Sequence, residues 1–155
     1  MDKEQIVKRK LLLTEWAKKL YSIPDEVWFK PFNQGTWGTA DVISHFISWD
    51  QFLIENRLPF LLREESFPAM VFDSELINKS ASEYARSGIS KENLLSEFIL
   101  IRKSLVSLIE LLPLATFKRP YPLKKDISIS EYFIGLINHD LKHKEQIDEF
   151  LNSYY

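Results

Sequence analysis

The segment from Lys91 to Leu112 constrains the fold most, because its apolar residues recur every three or four residues along its whole length. Residues at this spacing share one face of an α-helix, so the segment predicts a long helix with one buried face. Such a face needs other helices to cover it. The apolar positions are Leu94, Leu95, Phe98, Ile101, Leu105, Leu108, Ile109 and Leu112.

Similar periodic segments cover most of the chain, and only four glycines interrupt its 155 residues. Both features favour an all-α fold, which we predict as a single domain over residues 1–155. Capping residues place the helix starts at Thr39, Asp73 and Ser90, and a Ser128–Glu131 capping box opens the last helix. The other predicted helices are 3–21, 39–62 with a kink or an end at Pro59, 73–86 with Leu76, Ile77, Ser80 and Tyr84 on one side, and a last helix running close to the C-terminus.

Two connectors have unusual composition. Residues 22–37 include Trp28, Phe29, Phe32 and Trp37, which favours a packed lid over one end of the helices; a wall of a substrate site is the alternative. The crossover before the last helix contains three prolines and a basic run from Lys118 to Lys125. Solvated loop lysines are the usual interpretation of such a run, and an anion site is the alternative.

Composition excludes several classes of function. With 20 basic and 22 acidic residues, the chain lacks the positive excess that nucleic-acid binding needs. It has no cysteine, which excludes disulfides, thiolate ligands and a cysteine nucleophile. No apolar run reaches the 18 or so residues of a membrane span, and the N-terminus does not resemble a secretory signal. We therefore predict a soluble, cytoplasmic protein without nucleic-acid or membrane partners.

All three histidines of the chain fall on or beside apolar helix faces. His139 and His143 lie one turn apart on the last helix, and His45 shares a face with Val42 and Trp49. A buried polar group without a partner costs about 1–3 kcal/mol, so these imidazoles need hydrogen-bond partners or a metal. Three imidazoles with an open position are typical of a catalytic zinc site, whereas hydrogen-bonded core histidines are the alternative.

Metal-bound histidine usually donates its second ring N–H to an acceptor nearby. Asp41, one turn before His45, and Gln146, three residues after His143, are the candidates for this role. Asp50 and Asp140 are further acidic neighbours that could also accept. Surface or capping groups are the usual interpretation of all four residues, and Asp41 is the first candidate for the acceptor.

The segments TWGTADVISHFISWD (Thr36 to Asp50), FDSELINKSASEYA and NHDLKHKEQIDEFL (Asn138 to Leu151) resemble the DinB/YfiT-like family. The family pattern has Trp-Ser where this chain has Trp37-Gly38. The resemblance implies a four-helix bundle with a long crossover before the last helix. It also implies a divalent metal, zinc or nickel, held by His45, His139 and His143.

The same resemblance implies that the metal activates a low-molecular-weight thiol for transfer to a small-molecule substrate, and that the protein is a homodimer. A metal-dependent hydrolase is one alternative, because a metal held by three imidazoles also acidifies water. A non-catalytic module that binds a metal or small ligand, or that only dimerises, is the other.

Overall fold

The computed structural model describes residues 1–33, 35, 37–70 and 72–154, and most of them are helical. The all-α prediction is confirmed in outline, although a small β-hairpin interrupts the crossover before the last helix. The elements are α1 (Lys3–Ala17), a 3₁₀ turn (Lys18–Ser22), α2 (Asp25–Trp28), α3 (Thr39–Asn56), α4 (Leu58–Arg63), α5 (Ser74–Ala85), α6 (Lys91–Leu111), a second 3₁₀ turn (Leu114–Lys118), the antiparallel strands β1 (Pro120–Tyr121) and β2 (Lys124–Ser128), and α7 (Ile129–Tyr154).

Four long helices, α1, α3, α6 and α7, pack against one another, and α5 packs along the outside of α3. The core forms two clusters of buried apolar residues. One is built around Trp28, Phe46 and Phe98, and the other around Phe117 and Phe133. The apolar face predicted for the segment from Lys91 to Leu112 lies between α1 and α3, as its periodicity requires.

Three of the four predicted helix caps are confirmed. The side chains of Asp73, Ser90 and Ser128 each accept a hydrogen bond from a backbone N–H in the first helical turn that follows. Thr39 is not a cap, because Gly38 precedes the helix and its N–H donates to Asp41 Oδ2 at 2.8 Å.

The structure refines two of the predicted helices: the break expected at Pro59 is present, and the face of α5 that packs on α3 is a different one from the side named above. Helix α3 ends at Asn56, ahead of Pro59, which sits in the first turn of α4, where its missing N–H costs nothing. On α5, Leu76 and Tyr84 are 59% and 40% exposed. The buried face carries only small residues, Ala81 and Ala85, because α5 lies close against α3.

The aromatic connector 22–37 covers one end of the helices; its residues Gln34 and Thr36 lie outside the described part of the chain. Trp28 and Phe32 are buried in the core, which agrees with the packed lid. A Cβ atom at Gly38 would collide with the carbonyl oxygen of Lys30. A serine, or any other residue with a Cβ atom, therefore does not fit at this position of the backbone.

The crossover folds back as a hairpin and leans on the start of α7. The ring of Tyr121 stacks on that of Tyr132 at 4.0 Å between centroids, and Phe67 contacts Tyr121 at 5.7 Å. This side of the molecule is thereby closed by aromatic rings from three segments.

A buried ion-pair network joins all four long helices. Arg102 of α6, 0% exposed, binds Asp50 of α3 through Nε at 2.6 Å and Nη2 at 3.1 Å, and Asp140 of α7 through Nη1 at 3.0 Å. Lys10 of α1 binds the same Asp140 carboxylate at 2.8 Å. The expectation that Asp50 and Asp140 are surface or capping groups is wrong, because two buried cations balance them.

We predict that Arg102→Met lowers the free energy of unfolding by about 3–5 kcal/mol, since it leaves buried carboxylates without their main partner. Chemical denaturation of the two proteins measures the difference. The matched control is Lys103→Met, which removes an exposed cation from the next position on α6 and should change stability by less than about 0.5 kcal/mol. Equal losses in the two variants would contradict the role given to Arg102.

Candidate metal centre

Helix α5 holds α3 in place through a series of hydrogen bonds that leads to His45. Asp41 accepts from Arg86 at 2.6 Å and from Ser82, and Ser44 donates to the carbonyl of Ala81 at 2.6 Å. The bonded residues follow one another in opposite order, since residue numbers rise along α3 while those of their partners fall along α5. The residue after Ser44 is His45, and its imidazole is the next member of the series.

Asn78 fixes which nitrogen of His45 carries the proton. Its Oδ1 lies 2.9 Å from Trp49 Nε1 and 2.9 Å from His45 Nδ1. An indole N–H can only donate, so the side-chain atom of Asn78 that faces it must be the oxygen. The same oxygen must then accept from His45, which places the proton on Nδ1 and the free lone pair on Nε2.

His139 and His143 lie opposite His45 on α7. The ring centroids are 5.5 Å apart for His45 and His139, 4.9 Å for His45 and His143, and 4.7 Å for His139 and His143. His143 Nδ1 faces Gln146 Oε1 at 3.3 Å, which leaves its Nε2 on the other side of the ring. The three rings converge on one point between α3 and α7.

The nitrogen atoms of this trio fit a metal ion. One ring nitrogen from each histidine lies within 4.8 Å of the other two. Tetrahedral zinc with bonds of about 2.0–2.1 Å would bring such atoms to about 3.3 Å, so modest side-chain rotations complete the geometry. His45 is buried, His143 half-buried and His139 exposed. The site is therefore shielded from solvent at His45 and open to solvent at His139.

A cavity of about 540 Å³ opens next to the trio. His45 and His139 form part of its wall, and Asp50 and Asp140 of the buried network form another part. The remaining wall is largely aromatic and apolar: Phe46, Trp49, Phe52, Leu53, Phe72, Tyr121, Leu123, Tyr132 and Leu136. A small molecule in this cavity would reach the histidines directly.

The structure brings the three predicted histidines together and changes the residues expected to support them. Asp41 does not hold His45; it pairs with Arg86 and the start of α3, because its carboxylate points toward α5. Asn78 takes the role predicted for Asp41, and Gln146 does lie against His143. A signal for Asn78 was present, since it precedes Ala81 and Ala85 at the spacing of one helix face.

Burial and neighbouring charge keep His45 and His143 in the form that binds metals. Burial, above all, lowers the pKa of His45 to about 4, and the nearby His143 and His139 lower it further while Asn78 opposes the shift. Burial also lowers the pKa of His143. At neutral pH both imidazoles are therefore neutral and carry the lone pair that a metal requires.

No protein-family model, curated protein or solved structure matches this chain. Among the described residues, no helix combines the length and apolar character needed to cross a bilayer.

We predict that the stability of the metal-free protein falls as the pH drops from about 6.5 to about 4. In this range the unfolded chain protonates His45 and the folded chain does not, so the unfolding free energy decreases by up to about 1.4 kcal/mol per pH unit. Denaturation in the presence of a chelator, repeated across this range, measures the slope.

His45→Gln should have a flatter curve than the wild type, because glutamine does not titrate. The comparison cancels the contribution of the carboxylates, which both proteins share. Parallel curves for the two proteins would show that His45 does not have a depressed pKa.

Proposed function

We propose that this protein binds one divalent metal ion, zinc or nickel, through His45, His139 and His143, and uses it to activate a low-molecular-weight thiol for transfer to a small-molecule substrate. The observation that carries the metal site is the convergence of three imidazole nitrogens within 4.8 Å beside an open cavity. Imidazole suits both metals. The thiol rests on the resemblance to the DinB/YfiT-like family, and the packing of four long helices supports that resemblance.

When bound, a divalent metal with three neutral ligands keeps its full double charge and lowers the pKa of a thiol or water molecule beside it. The chain supplies the rest of the arrangement. Asn78 and Gln146 hold two of the rings by their Nδ1 atoms, which directs both Nε2 atoms toward the same point. The exposed side at His139 leaves room for an incoming thiol.

The walls of the cavity determine what reacts there. Trp49, Phe52 and Phe72 form a continuous group of rings, with centroid separations of 5.5 Å and 4.8 Å along it. They favour an apolar or aromatic body on the electrophilic substrate and exclude water around it. Because an apolar wall that excludes water favours attack by a thiolate over attack by water, we prefer S-transferase activity to hydrolase activity.

The metal should contribute little to the fold itself. The buried network and the two apolar clusters join the helices without it. This distinguishes the proposal from a structural metal, whose removal would unfold the protein. A non-catalytic metal-binding module remains the alternative from a different class, and the homodimer remains a prediction from the resemblance.

We predict about one equivalent of zinc or nickel in the tag-free protein, measured by elemental analysis after reconstitution and desalting. His45→Ala, His139→Ala and His143→Ala should each lose most of it while keeping the helical circular-dichroism signal. Metal content that is unchanged in all three variants would contradict the site.

Lys142→Ala is the matched control for the two histidine variants on α7. It removes an exposed side chain between two ligands and should bind metal as the wild type does. Thiol transfer is then assayed with a small thiol and an aromatic electrophile such as 1-chloro-2,4-dinitrobenzene. Metal-loaded wild type should accelerate the conjugation more than the three histidine variants; equal rates would favour the non-catalytic alternative.

A further inference from the structure

Arg57 is a buried cation in the wall of the cavity. It is 4% exposed, lies between α3 and α4, and contributes to the same wall as His45 and His139. Among the described residues, no carboxylate oxygen lies within 4.0 Å of its nitrogens, whereas the other two buried cations that carry ion pairs across the core, Lys10 and Arg102, both contact aspartates.

The charges around the cavity do not cancel. Lys10 and Arg102 together balance Asp50 and Asp140, one positive charge against each negative one. Arg57 is left with a full positive charge, because an arginine stays protonated under all ordinary conditions. A buried charge without a counter-charge is costly, and proteins keep such a group where a ligand completes it.

The aromatic neighbours of Arg57 occupy its faces and leave most of its N–H groups available. The guanidinium carbon lies 4.8 Å from the ring centroid of Phe52, 4.6 Å from that of Phe67 and 5.9 Å from that of Phe72. These cation–π contacts use no N–H donor. Of the five donors, Nη1 bonds the carbonyl of Asn56 at 2.9 Å, and a side-chain hydrogen bond to Tyr132 uses another.

A tyrosine hydroxyl adds a second polar group beside this cation. Tyr132 lines the cavity, and burial together with the neighbouring Tyr121 raises its pKa while Arg57 acts in the opposite direction. The hydroxyl makes side-chain hydrogen bonds with both Tyr121 and Arg57. Because a guanidinium can only donate, the hydroxyl oxygen accepts from Arg57 and holds it at the cavity wall. A guanidinium held in this way, with N–H donors left over, matches a single carboxylate.

We propose that Arg57, positioned by Tyr132, forms a carboxylate-binding subsite of the cavity, so that its ligand is a small carboxylic acid with an apolar or aromatic body. The body lies along Trp49, Phe52 and Phe72, and the carboxylate meets the guanidinium. This deepens the proposed function, whose cavity it uses, by naming the class of substrate. Binding at the subsite does not require the metal.

The test is calorimetric titration of the metal-free, full-length protein with 3-phenylpropanoate and with its uncharged analogue 3-phenylpropanamide. The wild type should bind the acid at least about tenfold more tightly than the amide, since a hydrogen bond to a charged group contributes more to affinity than one to a neutral group by about this factor. Arg57→Gln should lose the preference for the acid and keep its affinity for the amide. Equal binding of acid and amide by the wild type would overturn the proposal.

Arg63→Gln is the matched control. Arg63 lies on α4, stacks on Phe60 with 5.1 Å between the guanidinium carbon and the ring centroid, and pairs with Glu65 away from the cavity. It should retain the preference for the acid in full. If Arg63→Gln and Arg57→Gln lose it equally, the effect is general electrostatics and the subsite is wrong.

Two further measurements separate this proposal from the metal site. Preference for the acid that appears only after metal loading and survives Arg57→Gln would place the carboxylate on the metal and overturn the subsite. If Arg57→Gln does not fold, the ¹⁵Nε resonance of Arg57 in the wild type replaces it. That resonance should shift with the acid and stay unchanged with the amide; no shift with the acid would also overturn the subsite.

Discussion

The structure depends on one buried guanidinium. Arg102 binds Asp50 on one side and Asp140 on the other, and Asp140 also binds Lys10, so one connected set of charges joins four helices. Apolar contacts between helices tolerate sliding, whereas a buried ion pair is stable only when its hydrogen bonds have good geometry. The network therefore fixes the position of each helix along its axis relative to its neighbours.

This setting of the helices explains why the histidines meet. Asp140 directly follows His139, and Asp50 follows His45 by five residues. Fixing the two aspartates on Arg102 brings α3 and α7 together at the height where His45 faces His139 and His143. The hydrogen bonds between α3 and α5, from Asp41 along to Asn78, then fix the side of α3 that faces α5. The proposed metal site thus rests on polar contacts that do not include the metal.

Local spacing predicted the helices and the pair His139 and His143, whereas the meeting of His45 with that pair was expected only from the resemblance to a known family. Periodicity gave the face of α6, and the i,i+4 spacing placed His139 and His143 on the same side of α7. What failed depends on partners far apart in the chain. Asp50 and Asp140 look like surface acids until Arg102 and Lys10 are placed beside them, and Asn78 acquires its role only when α5 packs on α3.

The most direct measurement is the absorption spectrum of the cobalt(II)-substituted protein during titration with a small thiol such as 2-mercaptoethanol. Cobalt(II) takes the same imidazole ligands as zinc, and its spectrum reports both ligand number and thiolate binding. An open site built by His45, His139 and His143 predicts saturable growth of a sulfur-to-cobalt charge-transfer band, which is lost when any of the three is replaced by alanine. A fully loaded wild type that gives no such band would contradict an open, thiol-accepting centre.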